Sequence, residues 1–303
     1  SRNYSGNGHA ATIFDPSAIT PAECLELARC GVDAWNQWRD EFPGEPFLEV
    51  NVASFIGVDF VDEQIDFSGF RFDGVAFSKA RFGWRQKFRH CRFGRADFSQ
   101  AVFERAAHFE GSIFSTSDFQ GVEFKGVAKF NSTLLGGTSK FQSCTFNDVA
   151  LFSGACSTGD VHFDQSTFLK DALFLGVIFS NEASFECCDF KKDASFDGAS
   201  IHLLRQAFRN PPYANSWAEI EKRIDNTGDS PHRFNRLYFN GARFGGRVIF
   251  RGREFAGRTG FDIGRTLRES RAKLVGGKEV SEEIYALRPV EFEIGRASCR
   301  ERV

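Results

Sequence analysis

The chain contains the usual chemistry-bearing residues, but their spacing does not gather them into a recognisable reactive set. Five of its histidines, His90, His108, His162, His202 and His232, are scattered. None sits in the H-E-x-x-H pattern that puts two imidazoles on one helix face around zinc. No G-x-S-x-G elbow presents a serine nucleophile, and no Walker loop cradles a phosphate. The glycine-rich stretch GRVIFRGREFAG at 246–257 lacks the strand–loop–helix setting that anion binding needs. Carboxylates recur just before phenylalanines, at Asp97, Asp118, Glu123 and Asp189, where the expectation is a solvated face. The cysteines offer metal or redox chemistry only if they meet. Cys24 and Cys30, six apart on an expected helix, fall on different faces. No catalytic, cofactor-binding or metal-binding residue is therefore assigned, and no enzymatic reaction is expected.

The elements that would carry these residues follow from an unusual period. Of 303 residues, 37 are Phe and none is Met. Phe falls at 67, 72, 77 and 82, then 88, 93, 98 and 103, then 109, 114, 119 and 124. After Phe130 the steps alternate five and six, through Leu135, Phe141, Phe146, Phe152, Ser157, Phe163, Phe168, Phe174, Phe179, Phe185, Phe190, Phe196 and Ile201. Two residues before most of these stands a small side chain, such as Val75, Ala80, Cys91, Ala96, Ser112, Cys144, Ala172 or Cys188, with Phe70 and Gln86 as exceptions. A helix repeats every 3.6 residues and a strand every 2, so a period of five fits neither. A square coil with one short segment per side satisfies it. Four Phe columns then stack, each advancing 21 or 22 residues per coil. With strands about 4.8 Å apart, roughly seven coils give a rod on the order of 34 Å long. In that stack Cys144 and Cys188 lie two coils apart, about 9.6 Å from the same spacing, beyond the reach of a disulfide. Cys91, Cys144 and Cys188 instead fill small inward slots. Unpaired thiols suit a reducing, cytoplasmic compartment.

The unit [A/V/S/C]-x-F-x-x, held over about 50–203 and more loosely over 232–261, resembles the pentapeptide-repeat family in its Phe-centred form. The resemblance implies an all-β fold, a right-handed quadrilateral β-helix with stacked Phe inside and polar faces outside. Ser157 departs from the pattern and reads as a local weak point.

Solenoids need caps at their apolar ends. Residues 1–45 are expected to supply one, as a short capping helix opened by Thr20, Pro21 and Glu23 and closed by Pro43. The coil spans 46–203. Residues 204–231 read as a partly helical insertion, with Ser216 opening WAEIEKRI, and the period resumes over 232–262. Residues 263–292 are charged and weakly helical in pattern, and look truncated. Residues 293–303, EIGRASCRERV, read as the translation of a sequencing adapter. Without them the charge is 35 minus 38, or −3. A chain starting at Ser1 without Met reads as a fragment, so a removed leader is compatible with it. No stretch of 18 apolar residues is present to span a membrane.

Surface composition is the remaining guide to function. Residues just before each Phe should face outward, which gathers Ile113, Leu134, Leu151, Leu173, Leu175 and Ile178 into an apolar patch across two faces. Such patches mark docking sites or something that covers them. Either the insertion covers it, through Leu203, Leu204, Phe208, Trp217, Ile220 and Ile224, or a protein partner or second copy does. A basic run, Arg81, Arg85, Lys87, Arg89, Arg92 and Arg95, contains no acid and adjoins Trp84. It reads as solvated surface or as an anion-contacting patch. Two functions follow. The first is a non-catalytic protein-interaction scaffold. The second, implied only by the resemblance, is a DNA mimic that binds type II topoisomerase. A DNA mimic needs a strongly acidic rod, whereas 52–203 holds 15 bases and 19 acids. No direct nucleic-acid binding is expected.

Overall fold

The computed structural model describes 4–6, 9–11, 19–43, 52–198, 233–251 apart from 235, and short strands beyond; side chains are described only within 19–43, 52–198 and 233–253. The expectations for Ile201, Leu203, Leu204, Phe208, Trp217, Ile220, Ile224 and the adapter-like tail after Glu293 fall outside these residues.

Four parallel faces build the rod, numbered here by their Phe columns. Face 1 carries Phe67, Phe88, Phe109, Phe130, Phe152, Phe174, Phe196 and Phe250; all are buried. Face 2 carries Phe72, Phe93, Phe114, Leu135, Ser157, Phe179 and Phe234. Faces 3 and 4 start one coil earlier than the sequence count, with Phe55 stacked on Phe77 at 4.9 Å and Phe60 on Phe82 at 5.2 Å. Within a column the rings lie nearly parallel, as for Phe130 and Phe152 at 4.9 Å and 2°. Across the core they meet edge to face, as for Phe130 and Phe141 at 89°. Ring spacing thus equals strand spacing, and each buried Phe adds about 1.5–3 kcal/mol of transfer free energy.

The change of period from 21 to 22 has a visible cause. In the first coils the chain turns from face 2 to face 3 without leaving the strand, over Arg71–Ala76, Arg92–Asp97 and Ile113–Asp118. One extra residue at that corner splits the strand, into Leu134–Leu135 and Ser139–Lys140 and again in the following coils. Glycine fills the crowded corner, because a Cβ at Gly136 would lie 2.7 Å from the Phe114 carbonyl. A second rule governs the turns after faces 1 and 3. The residue two places past the Phe has positive φ, as at Gly69 (80°), Lys79 (60°), Gly121 (69°) and Gln165 (62°).

The capping region is two helices rather than one. α1 spans Pro21–Arg29, with the expected capping box between Thr20 and Glu23, and α2 spans Val32–Glu41. Gly31, at φ 92°, breaks the helix between them. α2 covers the first long strand where no earlier coil can pair with it. Trp35 Nε1 donates to the Arg71 carbonyl at 2.9 Å, and Asn36 both donates to the Gly69 carbonyl and accepts from the Arg71 amide. Open backbone groups on an edge strand are thereby satisfied.

The rod continues past the interruption after Gly198. Phe239 stacks on Phe185, Phe244 on Phe190 and Phe250 on Phe196, each at 5.1 Å, while Phe234 sits 5.9 Å from Phe179. Phe234 therefore occupies the face 2 position expected for Ile201. Beyond the rod, the segment read as weakly helical forms antiparallel strands at Arg268–Val275 and Lys278–Tyr285.

Candidate functional site

The small inward slot is a polar joint as well as a packing position. Ser166 Oγ donates to the Phe141 carbonyl at 2.6 Å and accepts from the Cys144 amide at 2.9 Å. Ser112 makes the equivalent pair with Phe88 and Cys91. The thiols of Cys91, Cys144 and Cys188 donate to the carbonyls of Phe67, Phe119 and Phe163. Burial pushes the Cys144 thiol up to about 12, so it is chemically quiet. The exceptions have distinct roles. Gln86 is buried, accepts from the Gly83 amide and donates to the Glu63 carbonyl, tying two corners together. Phe70 packs on Trp35 at the capped end. Arg253 takes a slot near the far end: it is 1% exposed, its Nε donates to the Phe196 carbonyl at 2.6 Å, and its guanidinium lies 4.5 Å over the Phe234 ring. Nothing in the sequence singled it out, because an arginine breaks the small-residue rule.

Outward residues form continuous rows. On face 2, Arg71, Arg92, Ile113, Leu134, Cys156 and Ile178 stack in register. On face 1 the row runs His108, Lys129, Leu151, Leu173, Ser195 and Ile249. Ile113, Leu134, Leu151 and Leu173 are half-buried and Leu175 is 39% exposed, so the apolar band exists across the middle coils. Ile178 does not belong to its exposed part. It is only 3% exposed, beside Phe179 of the core.

The basic run is not a block of free positive charge. Acids from neighbouring coils, invisible within 79–95, meet it. Arg81 contacts Asp59 at 2.8 Å and Glu104 at 2.9 Å; Arg89 reaches Glu110 and Lys87 lies 3.9 Å from Asp66. Hydrogen bonds from Lys125 and Arg81 hold the Glu104 carboxyl below its ordinary range. Arg85 lies 4.5 Å over the ring of Trp84, which is 60% exposed, and Arg92 and Arg95 are exposed.

Face 3 carries a polar groove of about 510 Å³, lined by His162, Asp164, Glu182, Ser184, Glu186 and Tyr238 among others. Ser184 Oγ donates to Asp164, while His162 Nδ1 lies 3.8 Å from the other oxygen of the same carboxylate. The serine proton is thus directed to the carboxylate. Among the described residues no cluster of His, Cys, Asp and Glu could hold a metal ion, and no helix is long and apolar enough to cross a membrane.

A family model described as pentapeptide repeats (nine copies) matches residues 77–134, the segment whose rings and ladders are set out above. Residues 77–134 are thus pentapeptide repeats. Among solved structures, the chain matches that of HetL. That protein is a pentapeptide repeat protein involved in heterocyst differentiation regulation from the cyanobacterium Nostoc sp. strain PCC 7120. Identity is 13%, over 69% of this chain and 86% of that one, with a TM-score of 0.23. A comparison with curated proteins finds no match.

Proposed function

We propose that this pentapeptide-repeat protein is a non-catalytic, cytoplasmic interaction scaffold that docks a protein partner or a second copy along faces 1 and 2. The observation that carries this reading is the outward apolar band Ile113, Leu134, Leu151, Leu173 and Leu175 on a rod whose other outward positions are mostly polar. A ladder-bonded rod holds such a surface rigid, so binding costs little ordering entropy. The free thiols of the described residues suit the reducing compartment assigned to it.

The test places a photo-crosslinking amino acid at position 134, and in a second protein at position 145 on face 4, in cells. Crosslinks to a defined protein or to another copy at 134, absent at 145 and lost when Leu173→Glu is added, support the reading. Equal yields at both positions sink it.

A further inference from the structure

On both faces of the docking surface, the outward side chains switch from cationic to apolar within one rung. On face 2 the ladder pairs Arg92 with Ile113, and Ile113 with Leu134. On face 1 it pairs Lys129 with Leu151, and Leu151 with Leu173. Neighbouring rungs lie about 4.8 Å apart, so the last cation and the first apolar side chain of each face are within reach of one occupant. These cations are unmatched. Acids from adjacent coils meet Arg81, Lys87 and Arg89, but Arg92, Arg105 and Lys129 make no ion pair among the described residues. Arg92 and Arg105 are exposed. Arg105 follows Trp84 by one coil at the corner between faces 4 and 1, in the register that pairs Phe82 with Phe103. Trp84 is 60% exposed, with the Arg85 guanidinium 4.5 Å over its ring. Trp and Arg are the side chains that most often anchor an interface.

We propose that the occupant of this surface is a protein segment of two-part chemistry, rich in carboxylates over Arg92, Arg105 and Lys129 and apolar over Ile113, Leu134, Leu151 and Leu173. The inference rests on the docking reading and adds the partner's chemistry and its direction, with the acidic end toward α2. An occupant without anions would bury unmatched positive charge, which is costly. A nucleic acid would lay phosphates over Leu151 and Leu173 with no counter-charge beneath them. A second copy fits poorly as well. Side by side in the same direction it sets cation against cation, and in the opposite direction it sets cation against leucine.

The purified full chain, its Arg92→Glu/Lys129→Glu variant and its Leu151→Glu/Leu173→Glu variant each select from a phage-displayed library of random peptides. The unaltered chain is expected to recover peptides that join a run of Asp or Glu to an apolar run. The best of them is expected to bind the charge-reversed variant at least about tenfold more weakly, and to bind the unaltered chain less well as salt rises. Should the charge-reversed variant lose its cooperative melting transition, Arg92→Gln/Lys129→Gln is read in its place. Peptides without an acidic excess, bound equally by the charge-reversed protein yet lost with Leu151→Glu/Leu173→Glu, overturn the inference and leave the docking reading standing. Peptides recovered equally by the leucine variant overturn both. In light scattering, a mass that doubles with concentration and returns to one chain in Leu173→Glu assigns the surface to a second copy and overturns the inference too. So does a labelled DNA duplex retained by the unaltered chain and released by the charge-reversed one.

Discussion

Ser157 and Ser166 are both buried, yet they stand in opposite energetic positions. Ser166 Oγ has both a donor and an acceptor partner, whereas Ser157 Oγ has no hydrogen-bond partner. An unpaired buried hydroxyl costs about 1–3 kcal/mol, which its removal relieves, whereas removal of a bridging hydroxyl imposes a cost of similar size on the partners left behind. In urea unfolding, Ser157→Ala is therefore expected to stabilise the chain by about 1 kcal/mol and Ser166→Ala to destabilise it by about 1–3 kcal/mol. Destabilisation by both would show that Ser157 is satisfied. The weak point was legible because Ser157 interrupts a Phe column. The Arg253 joint was not, since its acceptor at Phe196 lies across the interruption, 57 residues away in sequence. The ion pairs of the basic run were hidden for a similar reason. Glu104 meets Arg81 only once the coil has gone round, so a local scan sees one sign alone.

At the scale of elements, the period disclosed the coils because every Phe it counts is an inward residue. The capping region was half legible: Thr20, Pro21 and Glu23 announced α1, but the apolar residues running past Gly31 concealed the break. Trp35 anchors this cap on Phe55, Phe70 and Phe72. Trp35→Ala is expected to cost about 3–5 kcal/mol by calorimetry, with early loss of amide protection at Arg71. A cost below about 1 kcal/mol would mean that α2 is dispensable. The coils across the interruption are joined by Asp193–Arg247 and Asp197–Arg251, both at 2.8 Å. The Arg247 amide and guanidinium hold the Asp193 carboxyl below 3.8. The folded chain thus binds this proton less readily than the unfolded one, so the contribution is present above pH 3.8 and is lost as pH falls through the lower folded value. Amide exchange at Ala194, which donates to the Arg247 carbonyl, is expected to accelerate there before exchange at Phe130 does, and Asp193→Asn should remove the difference. Simultaneous opening of both sites would place the acid-sensitive step elsewhere.

For the whole molecule, interleaved charge weighs against the DNA-mimic reading. Arg81, Glu104 and Lys125 alternate along one edge, and Lys140 stands 3.7 Å from Asp118 on face 3. A surface that neutralises itself coil by coil lacks the continuous negative potential of duplex DNA. In a gyrase supercoiling assay the purified chain is expected neither to inhibit nor to protect at micromolar concentration; inhibition would reinstate the DNA-mimic reading. The rod itself was legible from one spacing rule, whereas what lies outside it was not, because surface composition specifies chemistry without naming an occupant.

The helices at the start of the rod have a further consequence. Each coil presents the same backbone pattern and the same ring positions as the one before it, so an uncovered first coil would offer a template on which the last coil of another molecule fits. Parallel strands in register with like rings stacked are the arrangement along which cross-β fibrils grow. By engaging the strand at Arg71 with Trp35 and Asn36, α2 occupies the backbone groups on which such a template would rely.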